Sequence, residues 1–182
     1  SGAGLPFAVT AAITLDDQRQ FDPVPYVRAL ARRVASSATG TVHEGTRVTA
    51  VQGHRGARVV TETGTITARK VVVATLLPIL HRGVFYARAE PSASYVIAVV
   101  TRRQVPEGMF LSAEAPTRSI RPAVHDGRRL AIVGGSGHPV GRDAPASEHV
   151  EELIEWTDEH FGVVDVVDRW MAHDYTPVDH LP

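Results

Sequence analysis

Residues 69–80 read Arg69-Lys70-Val71-Val72-Val73-Ala74-Thr75-Leu76-Leu77-Pro78-Ile79-Leu80: a basic lead-in, three valines, then Ala74-Thr75 where the run meets a turn. Successive side chains on a strand point to opposite faces, so adjacent valines bury both faces at once. That pattern suits a central strand of an open α/β sheet, and ligands in such sheets gather at the carboxyl ends of the strands. The stretch therefore predicts a buried strand at 70–75 with Ala74 and Thr75 at its ligand-facing end.

Upstream, residues 5–15 are apolar and rich in β-branched side chains, which predicts a strand closed by Asp16-Asp17. Asp22 is placed to cap a helix whose first position, Pro23, needs no amide partner. Tyr26, Val27, Leu30, Ala31 and Val34 recur at helical spacing opposite Arg28, Arg32 and Arg33, up to a stop at Gly40. Short strands are expected near 41–43, 47–52, 57–62 and 65–68, with Gly53, Gly56 and Gly64 at the turns.

Downstream, strands are expected at 92–102, 108–112, 117–122 and 128–134, with Asp126-Gly127 as a hairpin turn between the last two. From Ser147, the residues Val150, Leu153, Ile154, Thr157 and Phe161 form one apolar stripe of an amphipathic helix. Glu148, Glu151 and Glu152 complement the positive end of its dipole, Gly162 ends it, and residues 163–175 read as a last strand. The fold class is thus α/β with α+β character, its second half a mainly antiparallel sheet.

At 182 residues, 43% hydrophobic and 21% charged, the chain has globular composition and room for one domain, or one domain and part of another. A net charge of −1 creates no field to draw nucleic acid or an anionic membrane. The basic residues are arginine except for Lys70, which reads as coding bias. The lack of cysteine excludes disulfides, iron–sulfur ligation within this chain and a cysteine nucleophile. The apolar run at 71–80 is shorter than the roughly 20 residues that cross a bilayer, and no signal segment opens the chain, so a cytoplasmic protein is expected.

Several segments, in order, resemble the FAD-dependent amine and D-amino-acid oxidase-like family, and within it members with a C-terminal Rieske domain. Asp22-Pro23 with Tyr26, Ala29 and Leu30 is similar to a helix start of that family, and Thr46 to Val51 resembles its strand beside the adenine end of FAD. Ala74-Thr75 resembles a strand end lying close to the dinucleotide. Gly83 to Arg88 and Ser94-Tyr95-Val96 resemble the entry into the substrate domain. Thr117 to Arg121, and Ile132 to Gly135 with Gly137-His138, resemble paired strands of that domain. Trp170, Asp174-Tyr175, Pro177, Asp179 and Pro182 resemble the return to the flavin domain.

The resemblance implies an FAD-domain-like region at 1–80 and a substrate-domain-like region at 81–182, with an antiparallel sheet, one long helix and a return strand. It implies cofactor contacts at Arg47, Val48, Ala74 and Thr75, and substrate contacts drawn from Arg118, Arg121, Tyr95 and His138. It implies a small amine or amino-acid substrate, oxidised by hydride transfer to FAD, and a [2Fe-2S] Rieske centre in a domain absent here. A pyrophosphate-binding turn needs three spaced glycines between a strand and a helix. Gly2-Ala3-Gly4 and Gly135-Ser136-Gly137 each supply two. The chain therefore reads as the middle of such an enzyme, with missing flanking FAD-domain segments as its partners and no FAD expected to stay on it alone. The alternative is a non-catalytic binding or assembly module with a flavoprotein-like fold.

Three further patterns bear on the chemistry. Gly134 to His138 approaches the Gly-x-Ser-x-Gly elbow of a hydrolase, but His138 replaces the last glycine and Pro139 follows, so a glycine-rich loop is the plainer reading. His138, His149 and His160 lack the close pairing of a metal site, and the last two are expected on the charged side of their helix. Arg118 and Arg121 are three apart on a strand and so face opposite ways, which allows one of them to grip a carboxylate in a bidentate hydrogen-bonded pair, the alternative being a surface or interdomain ion pair.

Overall fold

The computed structural model describes residues 4–53, 56–76, 87–141 and 145–177. The chain divides into two compact units, one of Ser1–Ala12 with Val84–Pro182 and the other of Ile13–Gly83.

The smaller unit begins with α1, Pro23–Ala35, whose N-cap Asp22 accepts a hydrogen bond from the Val24 amide at 2.9 Å, as its Asp-Pro start predicts. The helix ends before Gly40: the hydroxyls of Ser36 and Ser37 bond the carbonyls of Arg33 and Val34, offering the chain an exit from the helical ladder. Strands β1 (Val48–Gln52), β2 (Ala57–Thr61) and β3 (Thr65–Ala68) form an antiparallel meander in that order. Residues 41–43 add no strand.

The expected strand at 70–75 does not form. Among the described residues no strand pairs with 71–76, and Val72 is 88% exposed. Apolar side chains on both faces are an asset only when strands flank both edges and elements cover both faces, and among the described residues the valines have no strand partner. Leu76 follows at φ 62°.

The larger unit is built on a five-stranded antiparallel sheet in the order β5-β6-β7-β4-β8. Its strands are β4 (Ala89–Thr101), β5 (Phe110–Leu111), β6 (Arg118–His125), β7 (Arg128–Pro139) and β8 (Val163–Pro177). Asp126 at φ 47° and Gly127 at φ 73° close the β6–β7 hairpin, as the Asp-Gly dipeptide predicts. Helix α2, Ala146–Phe161, lies on one face and buries Val150, Leu153, Thr157 and Phe161 against Ile97, Val99, Ile120 and Val133. Gly162, at φ 70°, ends it.

Residues 5–15 form no strand either. Leu5 and Phe7 pack on the larger unit's core, and Phe7 meets the rings of Trp156, His160 and Phe161 edge-on. Half-buried and exposed residues alternate from Leu5 to Thr10 as on a strand, but no described strand pairs with the segment.

Candidate functional site

Alternation along β6 separates the two candidate arginines. Arg118 shares the α2-facing side with Ile120 and is 6% exposed, while Arg121 is exposed on the opposite side, paired in register with Ile132. Gly135 makes room for Arg118. A Cβ there would stand 2.6 Å from the Thr117 carbonyl oxygen and 2.9 Å from the Cδ and Nη1 of Arg118.

The next residue, Ser136, adopts φ 50° in a bulge of β7 between the pairs Tyr95–Gly135 and Ala93–His138. Its Oγ donates to Glu152 Oε2 at 2.7 Å, and Arg118 Nη2 donates to Oε1 of the same carboxylate. Arg118 Nη1 donates to the Thr117 carbonyl at 3.1 Å, and the guanidinium lies 5.9 Å from the centre of the Trp156 ring. The hydrogen bond from Ser136 holds the Glu152 carboxyl below the ordinary value of 4.5. Partial burial opposes this, and the charges of Arg118 and His149 add to it.

A second group adjoins the first. Tyr95, 3% exposed on β4, places its hydroxyl 3.1 Å from His138 Nε2, and His138 stacks on His149 with centroids 4.3 Å apart. His149 also stacks on Tyr95, at 5.0 Å. Two buried nitrogens, Arg118 Nε and His149 Nε2, have no hydrogen-bond partner.

Arg118, Tyr95 and His138 therefore come together beneath α2, and Arg121 does not join them. His149 and His160 are not on the charged side of the helix, as the sequence suggested. His160 stacks on Trp156 at 4.5 Å, and its Nδ1 lies 2.7 Å from the Trp156 carbonyl. The row His149, Glu152, Trp156 and His160, spaced by three and four residues, runs beside the apolar stripe. Sequence reasoning passed over it because its members are polar or aromatic. The spacing itself was the available signal. Ser136 spends its proton on a carboxylate in a site only 7% exposed, which neither presents nor activates a hydrolase nucleophile.

In the smaller unit, Arg47 is exposed just before β1, Val48 is half-buried on β1, and β1 is an edge strand. Ala74 and Thr75 are exposed, just ahead of the left-handed Leu76. Arg47, Ala74 and Thr75 are thus open to solvent, and Val48 is paired with Thr61 of β2. The sequence Gly135-Ser136-Gly137 lies inside β7, not between a strand and a helix, so it is no pyrophosphate turn. Among the described residues no helix is long and apolar enough to cross a membrane, and no cluster of three or more His, Asp or Glu could hold a metal ion. Asp179, assigned to the return segment, lies outside the described residues.

Comparison with known proteins agrees with this architecture. A Bacillus subtilis (strain 168) protein named as a Rieske 2Fe-2S iron-sulfur protein, YhfW, is 26% identical over 179 residues, 98% of this chain and 35% of its own length. The chain thus spans about a third of that relative. The fold is similar to glycine oxidase from Geobacillus kaustophilus, with TM-score 0.61 at 20% identity over 81% of this chain and 41% of that one. It is equally similar to NikD, described as an unusual amino acid oxidase essential for nikkomycin biosynthesis, with TM-score 0.61 at 18% identity over 79% of this chain and 42% of that one. The family model for FAD dependent oxidoreductases, DAO, matches residues 2–182, and the chain belongs to that family.

Proposed function

We propose that this chain is part of an enzyme that oxidises a C–N bond of a small amine or amino acid, and that Arg121 grips the substrate carboxylate. The observation that carries the assignment is the division of labour on β6. Arg118 is buried and already paired with Glu152, whereas Arg121 is exposed on the side away from α2, with no ion pair among the described residues. An arginine fork bonds a carboxylate through two parallel N–H groups and stays charged at any working pH. Arg118, Tyr95 and His138 then organise the sheet beneath α2 and do not touch substrate.

Arg47, Val48, Ala74 and Thr75 would hold FAD. Bound flavin supplies hydride acceptance, and the protein's share is orientation and electrostatics. The Rieske-named relative supports onward passage of electrons to a 2Fe-2S centre in a domain outside this chain.

The test uses the full-length protein, a panel of amino acids and their decarboxylated amines. Arg121→Met is expected to lose about 2–4 kcal/mol in kcat/KM on the amino acids, to spare the amines and to retain FAD. Arg118→Met should leave both nearly unchanged. Equal losses on acids and amines, or full activity of Arg121→Met, would refute the assignment.

A further inference from the structure

We infer that the substrate carries a second, cationic nitrogen on its side chain, and that Asp168 and Trp170 of β8 receive it at the far end of the sheet face that holds Arg121. This rests on the assignment of Arg121 to the carboxylate and adds the class of side chain. Register puts Arg121, Ile132, Ala98 and Asp168 in one row across β6, β7, β4 and β8. Two residues along, Ser119, Gly134, Val96 and Trp170 form the next row on the same face, the one turned away from α2. A Cβ on Gly134 would stand 2.6 Å from Ser119 Oγ and 3.6 Å from Val96 Cγ2, so the middle of that row is a low floor. The ends rise from it: Arg121 and Asp168 are exposed, and Trp170 is 41% exposed.

The two end charges do not satisfy each other. Three strand spacings separate the backbones of Arg121 and Asp168, about 14 Å in all. Among the described residues neither side chain forms an ion pair, and Asp168 Oδ1 accepts from the Arg169 amide at 2.7 Å. Asp165 on the same strand differs, because Arg128 Nη2 meets its Oδ2 at 2.6 Å. Asp174 shares the face of Trp170 but lies six residues beyond Asp168, about 20 Å away along β8. Asp168 is therefore the carboxylate within reach of a small molecule gripped at Arg121. A molecule with a carboxylate at one end and a cation at the other joins the two ends. Trp170 offers its ring to the same cation and to the methylenes that lead to it. A terminal ammonium such as that of lysine or ornithine meets both groups, whereas an acidic side chain meets a like charge.

The test compares lysine with norleucine, the same chain without the terminal nitrogen, on the full-length protein. Both kcat/KM and Kd, the latter by anaerobic calorimetry, are read. Wild type should favour lysine by at least about tenfold in each, the size of one charge-assisted hydrogen bond. Asp168→Asn should bring lysine to the level of norleucine, and Trp170→Leu should weaken lysine binding about threefold or more. A wild-type ratio near one or below, no measurable lysine binding, or a lysine preference that survives both variants would overturn the proposal. Should neither amino acid be oxidised, the calorimetric ratio decides. Failure of the Arg121 assignment is read separately, since Arg121→Met acts on lysine and norleucine alike and is judged by acids against amines.

Discussion

Removing Glu152 should cost more stability than removing its buried partner Arg118. Arg118 is 6% exposed, whereas the Glu152 side chain is 49% exposed. Glu152→Ala strands a buried guanidinium whose Nε already lacks a partner, and it also deprives the Ser136 hydroxyl of its acceptor. Breaking a fully buried pair from one side costs about 3–5 kcal/mol. Because half of the carboxylate is in water, we scale this to about 2–3 kcal/mol, including the lost bond to Ser136. Arg118→Met keeps an unbranched chain of similar length against Gly135 and Trp156 and returns Glu152 to solvent, so it should cost no more than about 1.5 kcal/mol. The double variant should fall near Arg118→Met alone, a non-additivity of about 2–3 kcal/mol. Urea unfolding followed by tryptophan fluorescence, with unchanged m-values, measures all three. A larger loss for Arg118→Met than for Glu152→Ala, or simple additivity, would refute this account of the pair.

Other consequences can be measured on the same chain. Since the folded-state carboxyl of Glu152 titrates below 4.5, its contribution is present above that pH and lost as pH falls through the lower folded value, and Glu152→Gln should remove this part of the acid sensitivity. Leu153→Ala, at a side chain with no exposure, should cost about 2–5 kcal/mol, while Glu155→Ala on the exposed side should change stability by less than about 0.5 kcal/mol. Gly135→Ala should destabilise by displacing Arg118, and its loss should shrink in an Arg118→Met background. The purified 182-residue chain should be colourless, and flavin bands with stoichiometric FAD after gel filtration would contradict that.

Most of the larger unit was legible because its signals are local. An Asp-Gly turn, an i, i+3, i+4 apolar stripe and a Gly stop depend on neighbours in sequence, and each appears where the residues place it. Residues 5–15 and 70–75 were misread for one shared reason. A strand is a pairing, and Val71-Val72-Val73 says what side chains would suit a buried pairing, not whether a partner is present. The unpaired Leu5–Thr10 segment keeps the alternation of a strand while its apolar side chains find α2 and the core instead.

The polar cluster was only half legible, and the half that was missed depends on a backbone detail. Opposite facing of Arg118 and Arg121 follows from strand geometry alone. That Arg118 is the inward one depends on the register with Ile120, and its burial requires the absent side chain at Gly135. Ser136 reaches Glu152 from a bulge at φ 50°, a conformation that regular alternation cannot anticipate. Without that bulge, the β7 residues beyond it would present their alternate faces, and His138 would not be expected to meet His149. The glycine-serine-glycine stretch that resembled a catalytic or phosphate-binding loop thus has a different physical use. It breaks the register of β7 so that a charged and aromatic cluster fits between sheet and helix, while Arg121 stays exposed on the opposite face.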